Sequence, residues 1–270
     1  MPFMEYRGSG RHQGADLSRM EKIWDLEWEK SRPNPDVSVL ASSENWPLLQ
    51  RCIPRGSRVL EAGCGPARWV RFLDEHGYGA YGVDFSSTAL SASLATWPGL
   101  RLVRGDLRGL PFAEATFDAV VSFGAVEHDI HGPEAALRDM FRVLVPGGIL
   151  YCTVPCYNVV RRLGFLRLSQ WLVCNRHVRR WMGRGPDVGF FEYLYTPREY
   201  EAILHGVGFE LLDLIPLSPY VCRLWGRPGT LRRRIVEALH RASPWVMPHM
   251  MAAICCKPPP ERPRETDRAS

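Results

Sequence analysis

The segment Val59–Leu73, VLEAGCGPARWVRFL, constrains the fold of this chain more than any other. It has the pattern of a short apolar strand, a turn with Gly63 and Gly65, and an amphipathic helix that begins near Ala67. Glycine lacks a Cβ and tolerates positive φ, so such a turn lets a ligand approach the backbone closely. The next apolar run ends at Asp84, 19 residues after Gly65. A carboxylate at that position can accept both hydrogen bonds of a ribose diol.

Short apolar runs alternate with stretches of helical periodicity over residues 51–155. The apolar runs are RVLEAG, GAYGVDF, LRLVRGD, FDAVVSFG and GGILYCTVP. Strands that alternate with helices in this way are typical of a parallel sheet with helices on both faces, in which ligands bind at the carboxyl ends of the strands. We therefore predict an α/β fold with a doubly wound core.

The rest of the chain divides into segments of different character. Residues 1–18 are polar and glycine-rich, whereas Trp24 and Trp28 have the spacing of one helix face. Thr196 predicts a helix start because Glu199 follows at the capping-box position. The predicted segments are 1–50, a flexible N-terminus with cap helices; 51–257, the main domain, with a basic helical insertion at 156–195; and 258–270, a disordered tail.

The composition excludes several protein classes. With 46% hydrophobic and 23% charged residues, the chain is neither disordered, collagenous nor a coiled coil. No run reaches the ~20 apolar residues of a membrane span, and the N-terminus lacks the apolar core of a secretory signal. The eight cysteines lack the paired spacing of a zinc ribbon or a disulfide scaffold, which indicates free thiols. We therefore expect a cytoplasmic protein.

The net charge of +5 is unevenly distributed. Residues 151–196 contain seven arginines against two acidic residues, and residues 222–241 contain six arginines against one. Each segment carries +5, so the rest of the chain is acidic. A locally basic segment can bind anionic partners such as anionic substrates, membrane surfaces and nucleic acids.

Two cofactor patterns compete for the glycine turn. A nicotinamide fingerprint, G-x-G-x-x-G, requires a third glycine where this chain has Arg68. The pattern acidic-x-G-x-G-x-G of S-adenosylmethionine (SAM) sites is matched by Glu61, Gly63 and Gly65, with Ala67 in place of the last glycine. The glycine spacing therefore favours SAM over a dinucleotide.

On these residues the chain resembles the class I SAM-dependent methyltransferases, strongly over 51–155 and loosely over 196–257. The resemblance implies a Rossmann-like, mostly parallel, seven-stranded sheet with an antiparallel last strand, and a helical lid insertion at 156–195. It implies SAM as cofactor and S-adenosylhomocysteine as product.

The resemblance also implies where the cofactor is bound. In the family, the glycine turn contacts the methionine part of SAM, and the acidic residue after the second strand, here Asp84, binds the ribose. Phe85 would pack on the adenine, Asp106 would bind its amino group, and Leu107 would lie beside the ring. The implied cofactor-binding residues are Glu61, Gly63, Cys64, Gly65, Asp84, Phe85, Asp106, Leu107 and Gly124.

Two residues after the fourth strand are the catalytic candidates. Methyl transfer from SAM requires a general base only when the attacking atom carries a proton that must leave. His128 is the first candidate for this base because its unperturbed pKa is about 6.5, and Glu127 is the second. The ubiquinone-pathway O-methyltransferases have the related segment E-x-x-E-H, but Gly124 occupies the first carboxylate position here. We therefore expect no metal site.

The predicted function is an enzyme, a SAM-dependent methyltransferase (EC 2.1.1.-), that acts on a lipid-, quinone- or glycan-like small molecule. One alternative is an RNA- or protein-directed methyltransferase that uses the basic insertion, and another is a noncatalytic SAM-binding protein. Nucleic acid is disfavoured because no RNA-binding module is present and lysines are scarce in both basic segments. The insertion 156–195 is interpreted as a lid, with a packed helical excursion or a peripheral membrane contact as alternatives. The oligomeric state stays open.

Overall fold

The computed structural model describes residues 3–6, 24, 25, 28, 35–129, 131–158, 190–219, 231–246 and 248–260. Most of the predicted insertion 156–195 lies outside these described residues, as do residues 261–270 of the predicted tail.

The described strands form two sheets. They are β1 (Phe3–Tyr6), β2 (Arg58–Ala62), β3 (Gly79–Asp84), β4 (Arg101–Arg104), β5 (Phe117–Phe123), β6 (Leu144–Pro155), β7 (Phe190–Leu194), β8 (Glu210–Pro219) and β9 (Pro248–Cys256). The main sheet has the order β4-β3-β2-β5-β6-β9-β8, and β1 pairs with β7 in a separate antiparallel pair. Strand β9 runs antiparallel to both β6 and β8, whereas the pairs among β2 to β6 are parallel. The predicted mostly parallel, seven-stranded sheet with an antiparallel last strand is confirmed.

The described helices connect these strands. The α-helices are α1 (Asn45–Cys52), α2 (Arg68–Glu75), α3 (Ser87–Thr96), α4 (Glu134–Val143), α5 (Pro197–Val207) and α6 (Leu231–Ala242), and short 3₁₀ helices span Ser38–Ser42, Val126–His128 and Pro244–Val246. Among the described residues, no helix combines the length and the apolar character needed to cross a bilayer.

Apolar side chains cover both faces of the main sheet. Val59 and Leu60 are neighbours on β2 and both are fully buried, yet they belong to two different apolar clusters because successive strand residues face opposite sides. One cluster joins the sheet to α1 and α2 through Leu49 and Phe72. The other joins it to α4 and α5 through Leu137 and Leu204. This two-sided burial confirms the doubly wound core.

Helix α5 begins with the capping box that the sequence predicts. The Thr196 hydroxyl accepts a hydrogen bond from the Glu199 N–H at 3.3 Å, and the Glu199 carboxylate accepts one from the Thr196 N–H at 3.0 Å. Gly208 ends the helix at φ 110°, in the left-handed region that glycine adopts without a steric penalty. The local sequence therefore fixes both ends of this helix.

The N-terminus differs from the expectation of a flexible segment. Phe3–Tyr6 forms β1, in which Phe3 pairs with Leu194 of β7. This strand has no local sequence signal, because its partner lies about 190 positions away and the 7–18 region that follows it is polar and glycine-rich. Trp24 and Trp28 are helical, as their spacing predicts.

The two ends of the insertion meet at the carboxyl edge of the main sheet. Cys156 and Tyr195 form an isolated bridge, and the Tyr157 N–H donates to the Tyr195 carbonyl at 2.7 Å. The Tyr195 N–H in turn donates to the Pro155 carbonyl at 3.1 Å. The two ends of the insertion therefore lie side by side, directly after β6.

Candidate active site

The turn after β2 is held in a conformation that requires glycine. Gly63 has φ 79°, and its N–H and that of Cys64 both donate to the Val83 carbonyl, at 2.9 and 3.0 Å. A Cβ on Gly63 would lie 2.5 Å from the Cβ of Ala125. Any side chain at this position would therefore force apart the loops after β2 and β5, which meet here.

Asp84 links this turn to the end of β3. One of its carboxylate oxygens accepts a hydrogen bond from the Gly65 N–H at 2.8 Å, and the other accepts one from the Ser86 N–H at 2.9 Å. The side chain is only 6% exposed, and burial raises its pKa against the opposing effect of these N–H donors. Each carboxylate oxygen retains a lone pair, so Asp84 can accept further hydrogen bonds from a bound ligand.

Glu61 lies on β2, directly before the glycine turn, and links this strand to α2. It is buried, and its carboxyl accepts a hydrogen bond from the Val70 N–H at 2.9 Å, in the first turn of α2. Burial raises the pKa of Glu61 well above its ordinary value, and the neighbouring Asp84 carboxylate acts in the same direction. Glu61 therefore fastens α2 to β2, and its side chain does not reach the cavity described next.

A cavity of about 410 Å³ lies at the carboxyl edge of the main sheet, where the strand-end residues converge. Of the predicted site residues, it is lined by Gly63, Asp84, Phe85, Asp106, Leu107, Gly124 and His128. Four predicted residues do not line it, namely Glu61, Cys64, Gly65 and Glu127. Seven of the eleven predicted site residues therefore line one cavity, and the roles of all eleven stay predictions.

Two of the four excluded residues have a visible structural reason. Cys64 packs against β3, since a Cβ built on Gly82 would lie 2.9 Å from its Sγ. Gly65 is covered by the indole of Trp28, whose nearest carbon would lie 2.8 Å from a Cβ at that position. Trp28 also stacks on Trp24, with ring centroids 5.4 Å apart, and both indoles line the cavity. The i, i+4 spacing of the tryptophans was the signal for this wall, although the sequence analysis did not place it at the site.

Asp106 is held by an arginine that the sequence analysis missed. The Arg108 guanidinium donates to both carboxylate oxygens of Asp106, with the shortest contact at 2.6 Å. These hydrogen bonds hold the pKa of Asp106 below its ordinary value, although partial burial opposes them. Arg108 also lies 3.8 Å from the carboxylate of Asp129. The signal in the sequence was the arginine two positions after Asp106.

The catalytic candidates follow β5 in the 3₁₀ helix Val126–His128. His128 is half-buried in the cavity wall, and the Trp24 ring meets it edge-on at a centroid distance of 4.8 Å. Glu127 is 2% exposed, and one of its carboxylate oxygens has no hydrogen-bond partner among the described residues. Burial raises the pKa of Glu127 well above its ordinary value, and the nearby Glu192 raises it further. The neutral form of Glu127 is therefore favoured, which makes it a weaker candidate for the base than His128.

Glu192 adds an acidic group to this region that no local sequence signal predicts. It lies on β7, which contacts the 3₁₀ helix, and the potential ligand atoms of Glu127, His128 and Glu192 all lie within 4.8 Å of one another. Such a group could hold a metal ion. The absence of a metal, expected because Gly124 occupies the first carboxylate position of the related motif, stays a prediction.

A second cavity, of about 440 Å³, shares Phe123 with the first. The other residues that line it are Ser42, Ser43, Glu44, Asn45, Thr153, Leu217, His249 and Met250. The Phe123 ring stacks on Trp69 at a centroid distance of 4.7 Å, which fixes its position between the two spaces. The two cavities therefore share one aromatic wall residue.

Comparison with known proteins gives this geometry a family context. Residues 60–152 match the family model of the methyltransferase domain. The chain is 33% identical over 127 residues to the demethylmenaquinone methyltransferase of Staphylococcus epidermidis. This alignment covers 42% of this chain and 52% of that protein. It is 28% identical over 182 residues to the 2-phytyl-1,4-naphtoquinone methyltransferase of Thermosynechococcus vestitus. This alignment covers 61% of this chain and 77% of that protein.

Solved structures show the same fold. An S-adenosylmethionine-dependent methyltransferase from Mesorhizobium loti has a TM-score of 0.57 at 20% identity, over 80% of this chain and 99% of that one. At this identity the likeness concerns the fold alone. The chain spans about half the length of several curated relatives that it matches.

The order of strands, the glycine turn and the acidic strand end are those of a class I SAM-dependent methyltransferase domain. The family match covers the glycine turn and Asp84, so the chain carries a methyltransferase domain over 60–152.

Proposed function

We propose that this protein is an enzyme that transfers a methyl group from SAM to a lipid-, quinone- or glycan-like small molecule. The observation that carries the proposal is the 410 Å³ cavity, whose wall takes residues from the ends of β2, β3, β4 and β5. A space of this size and position, apolar with a few polar groups, is suited to a nucleoside ligand.

The residues of the cavity fit SAM. Gly63 leaves room for close approach to the backbone, and Asp84 keeps free lone pairs for the two ribose hydroxyls. Phe85 and Leu107 offer apolar surface for the adenine, and Asp106 offers an acceptor for its amino group. When bound, SAM supplies a methyl group that is already activated, so the protein has mainly to orient the acceptor and exclude water.

The acceptor would lie between Phe123 and His128. Phe123 borders the second cavity, where Leu217 and Met250 add apolar surface. His128 would take the proton from an attacking hydroxyl through a ring nitrogen. The quinone substrates in the names of two relatives support an acceptor with an aromatic or isoprenoid body.

Two measurements test the proposal. Isothermal titration of the purified protein with S-adenosylhomocysteine, beside NADH, should give micromolar binding of the former and none of the latter. Incubation with SAM and a panel of reduced naphthoquinones, phenols and polar sugars should then release S-adenosylhomocysteine, detected by mass spectrometry. Binding of NADH alone would favour an oxidoreductase instead. Tight S-adenosylhomocysteine binding without turnover on any small acceptor, RNA or protein would favour a noncatalytic SAM-binding protein.

A further inference from the structure

Helix α6 and the 3₁₀ turn that follows it expose an unusual amount of apolar surface. Leu231 is 73% exposed, Leu239 is 53% exposed and Trp245 is 39% exposed. Six large apolar residues are exposed among the described residues, and three of them lie within 231–245. Single exposed leucines are ordinary, but two on one helix, with an exposed tryptophan directly after it, indicate a binding surface.

The same helix is basic. Its sequence, LRRRIVEALHRA, contains four arginines and one glutamate, and Arg234 and Arg241 are exposed. At about 100° per residue, Leu231 and Leu239 lie roughly 80° apart around the axis, and Arg234 and Arg241 lie within roughly 20° of each other. A row of arginines therefore flanks an apolar row, which is the pattern of a helix that lies in a membrane interface.

The position of α6 brings this surface to the edge of the sheet that holds the cavities. The chain re-enters the sheet after α6 at Pro248, which pairs with Pro219 at the carboxyl end of β8. The Asn158 side chain donates to the Pro248 carbonyl at 2.7 Å, and the Cys156 N–H donates to the His249 carbonyl at 3.0 Å. His249 also lines the second cavity.

We propose that α6 and Trp245 bind the surface of an anionic phospholipid bilayer. The leucines and the indole enter the interface, and the arginines pair with lipid phosphates and anionic headgroups. This contact is distinct from one through 156–195, and it presents the carboxyl edge of the sheet to the bilayer. A lipid-soluble acceptor could then reach the second cavity without crossing water; that last step alone rests on the proposed function.

A second copy of this chain is a poorer occupant. A helix of 12 residues is about 18 Å long and offers far less than the roughly 800 Å² per partner that a stable interface buries. Two such helices would also bring their arginines together. An anionic surface instead complements that charge and needs no minimum area.

Vesicle flotation of the full chain without SAM tests the proposal. We expect binding to vesicles of phosphatidylcholine with phosphatidylglycerol, weaker binding in high salt, and little binding to phosphatidylcholine alone. The double variant Leu231→Ser/Leu239→Ser and the double variant Arg234→Gln/Arg241→Gln should each weaken binding about tenfold. The control Leu94→Ser/Leu212→Ser removes two exposed leucines elsewhere and should bind like the native protein.

The outcomes separate the alternatives. Unchanged vesicle binding in both α6 variants would overturn the proposal and point to another surface, such as 156–195. A concentration-dependent dimer in sedimentation, lost in the leucine variant, would assign the surface to a second copy instead. Neither measurement uses SAM, so a failure of vesicle binding and a failure of methyl transfer can be told apart.

Discussion

The carboxylate of Asp84 accepts a hydrogen bond from the backbone N–H of Gly65 at 2.8 Å, across 19 residues of sequence. This bond couples the glycine turn to the end of the next strand, so the two parts of the predicted ribose and methionine site are set relative to each other before any ligand binds. Preorganisation of this kind reduces the cost of ordering the site on binding.

Replacement of Asp84 by alanine should weaken S-adenosylhomocysteine binding at least tenfold. The change removes charge-assisted hydrogen bonds to the ribose, worth about 1.5–3 kcal/mol. Isothermal titration measures the affinity, and the melting temperature shows whether the variant is folded. The Asp84→Asn variant keeps an acceptor for the Gly65 N–H. Its affinity for S-adenosylhomocysteine should lie between those of the native protein and the alanine variant. An alanine variant with native affinity would remove Asp84 from the ribose site.

Replacement of His128 by alanine should slow turnover on a hydroxyl acceptor by roughly 10²-fold, the usual contribution of general-base catalysis. Affinity for S-adenosylhomocysteine should change less than about twofold, because the predicted role of His128 is toward the acceptor. Single-turnover rates and titration separate the two effects. The matched control is His205→Ala, an exposed histidine on α5. Equal rates for His128→Ala and the native protein would show that it is not the base.

Replacement of Glu127 by glutamine should stabilise the protein increasingly as the pH rises. Because burial raises the folded pKa of Glu127 above its ordinary value of 4.5, the folded state holds a proton that the unfolded state has lost above that pH. The native protein therefore loses stability as the pH rises above about 4.5, whereas neutral glutamine does not.

The difference in melting temperature between Glu127→Gln and the native protein should be larger at pH 8 than at pH 5. Glu210→Gln, at an exposed carboxylate, serves as the control and should show little change with pH. A difference for Glu127→Gln that is constant or that shrinks between these pH values would show that Glu127 is ionised in the folded protein.

Replacement of Gly63 by alanine should lower stability by about 1–3 kcal/mol, since the new Cβ would overlap Ala125 and the backbone has positive φ. It should also weaken S-adenosylhomocysteine binding by opening the turn. Gly99→Ala is the matched control, because a Cβ there would meet nothing within 4 Å. Chemical denaturation measures both variants. If the two were equally stable, the close approach of the loops would not be a constraint.

Removal of divalent metals with EDTA should leave turnover unchanged. The group of Glu127, His128 and Glu192 is compact enough for a cation, but burial raises the pKa of Glu127, so a proton competes with a cation for its carboxylate oxygens. Titration with Mn²⁺, followed by electron paramagnetic resonance, gives a readout independent of activity. Tight Mn²⁺ binding that Glu192→Gln abolishes would establish a metal centre.

The sequence predicted features that depend on local pattern and could not predict those that depend on distant contacts. Strand β5 was recognisable because a strand buried on both faces is largely apolar. The capping box of Thr196 and Glu199 is likewise a property of four consecutive residues. Glu192 could not be placed, because only the packing of β7 on the 3₁₀ helix brings it to Glu127.

The side-chain contacts around the cavity also depend on the three-dimensional fold. Glu61 and Cys64 belong to the glycine-turn motif, yet the Glu61 side chain contacts α2 and the Cys64 side chain contacts β3. The motif does not show which way each side chain points, because that depends on the fold around it. Arg108 is a neighbour of Asp106 in sequence, but its guanidinium reaches the carboxylate only through the bend of the loop.

The place of β9 within the sheet bears on how the protein is made. The last of the described strands, Pro248–Cys256, lies between β6 and β8 and pairs with both. While the ribosome is still translating residues before 248, β6 and β8 lack this shared neighbour and each has an unpaired edge. The sheet can therefore be completed only after β9 has been synthesised, and until then those edges are open to association with other chains.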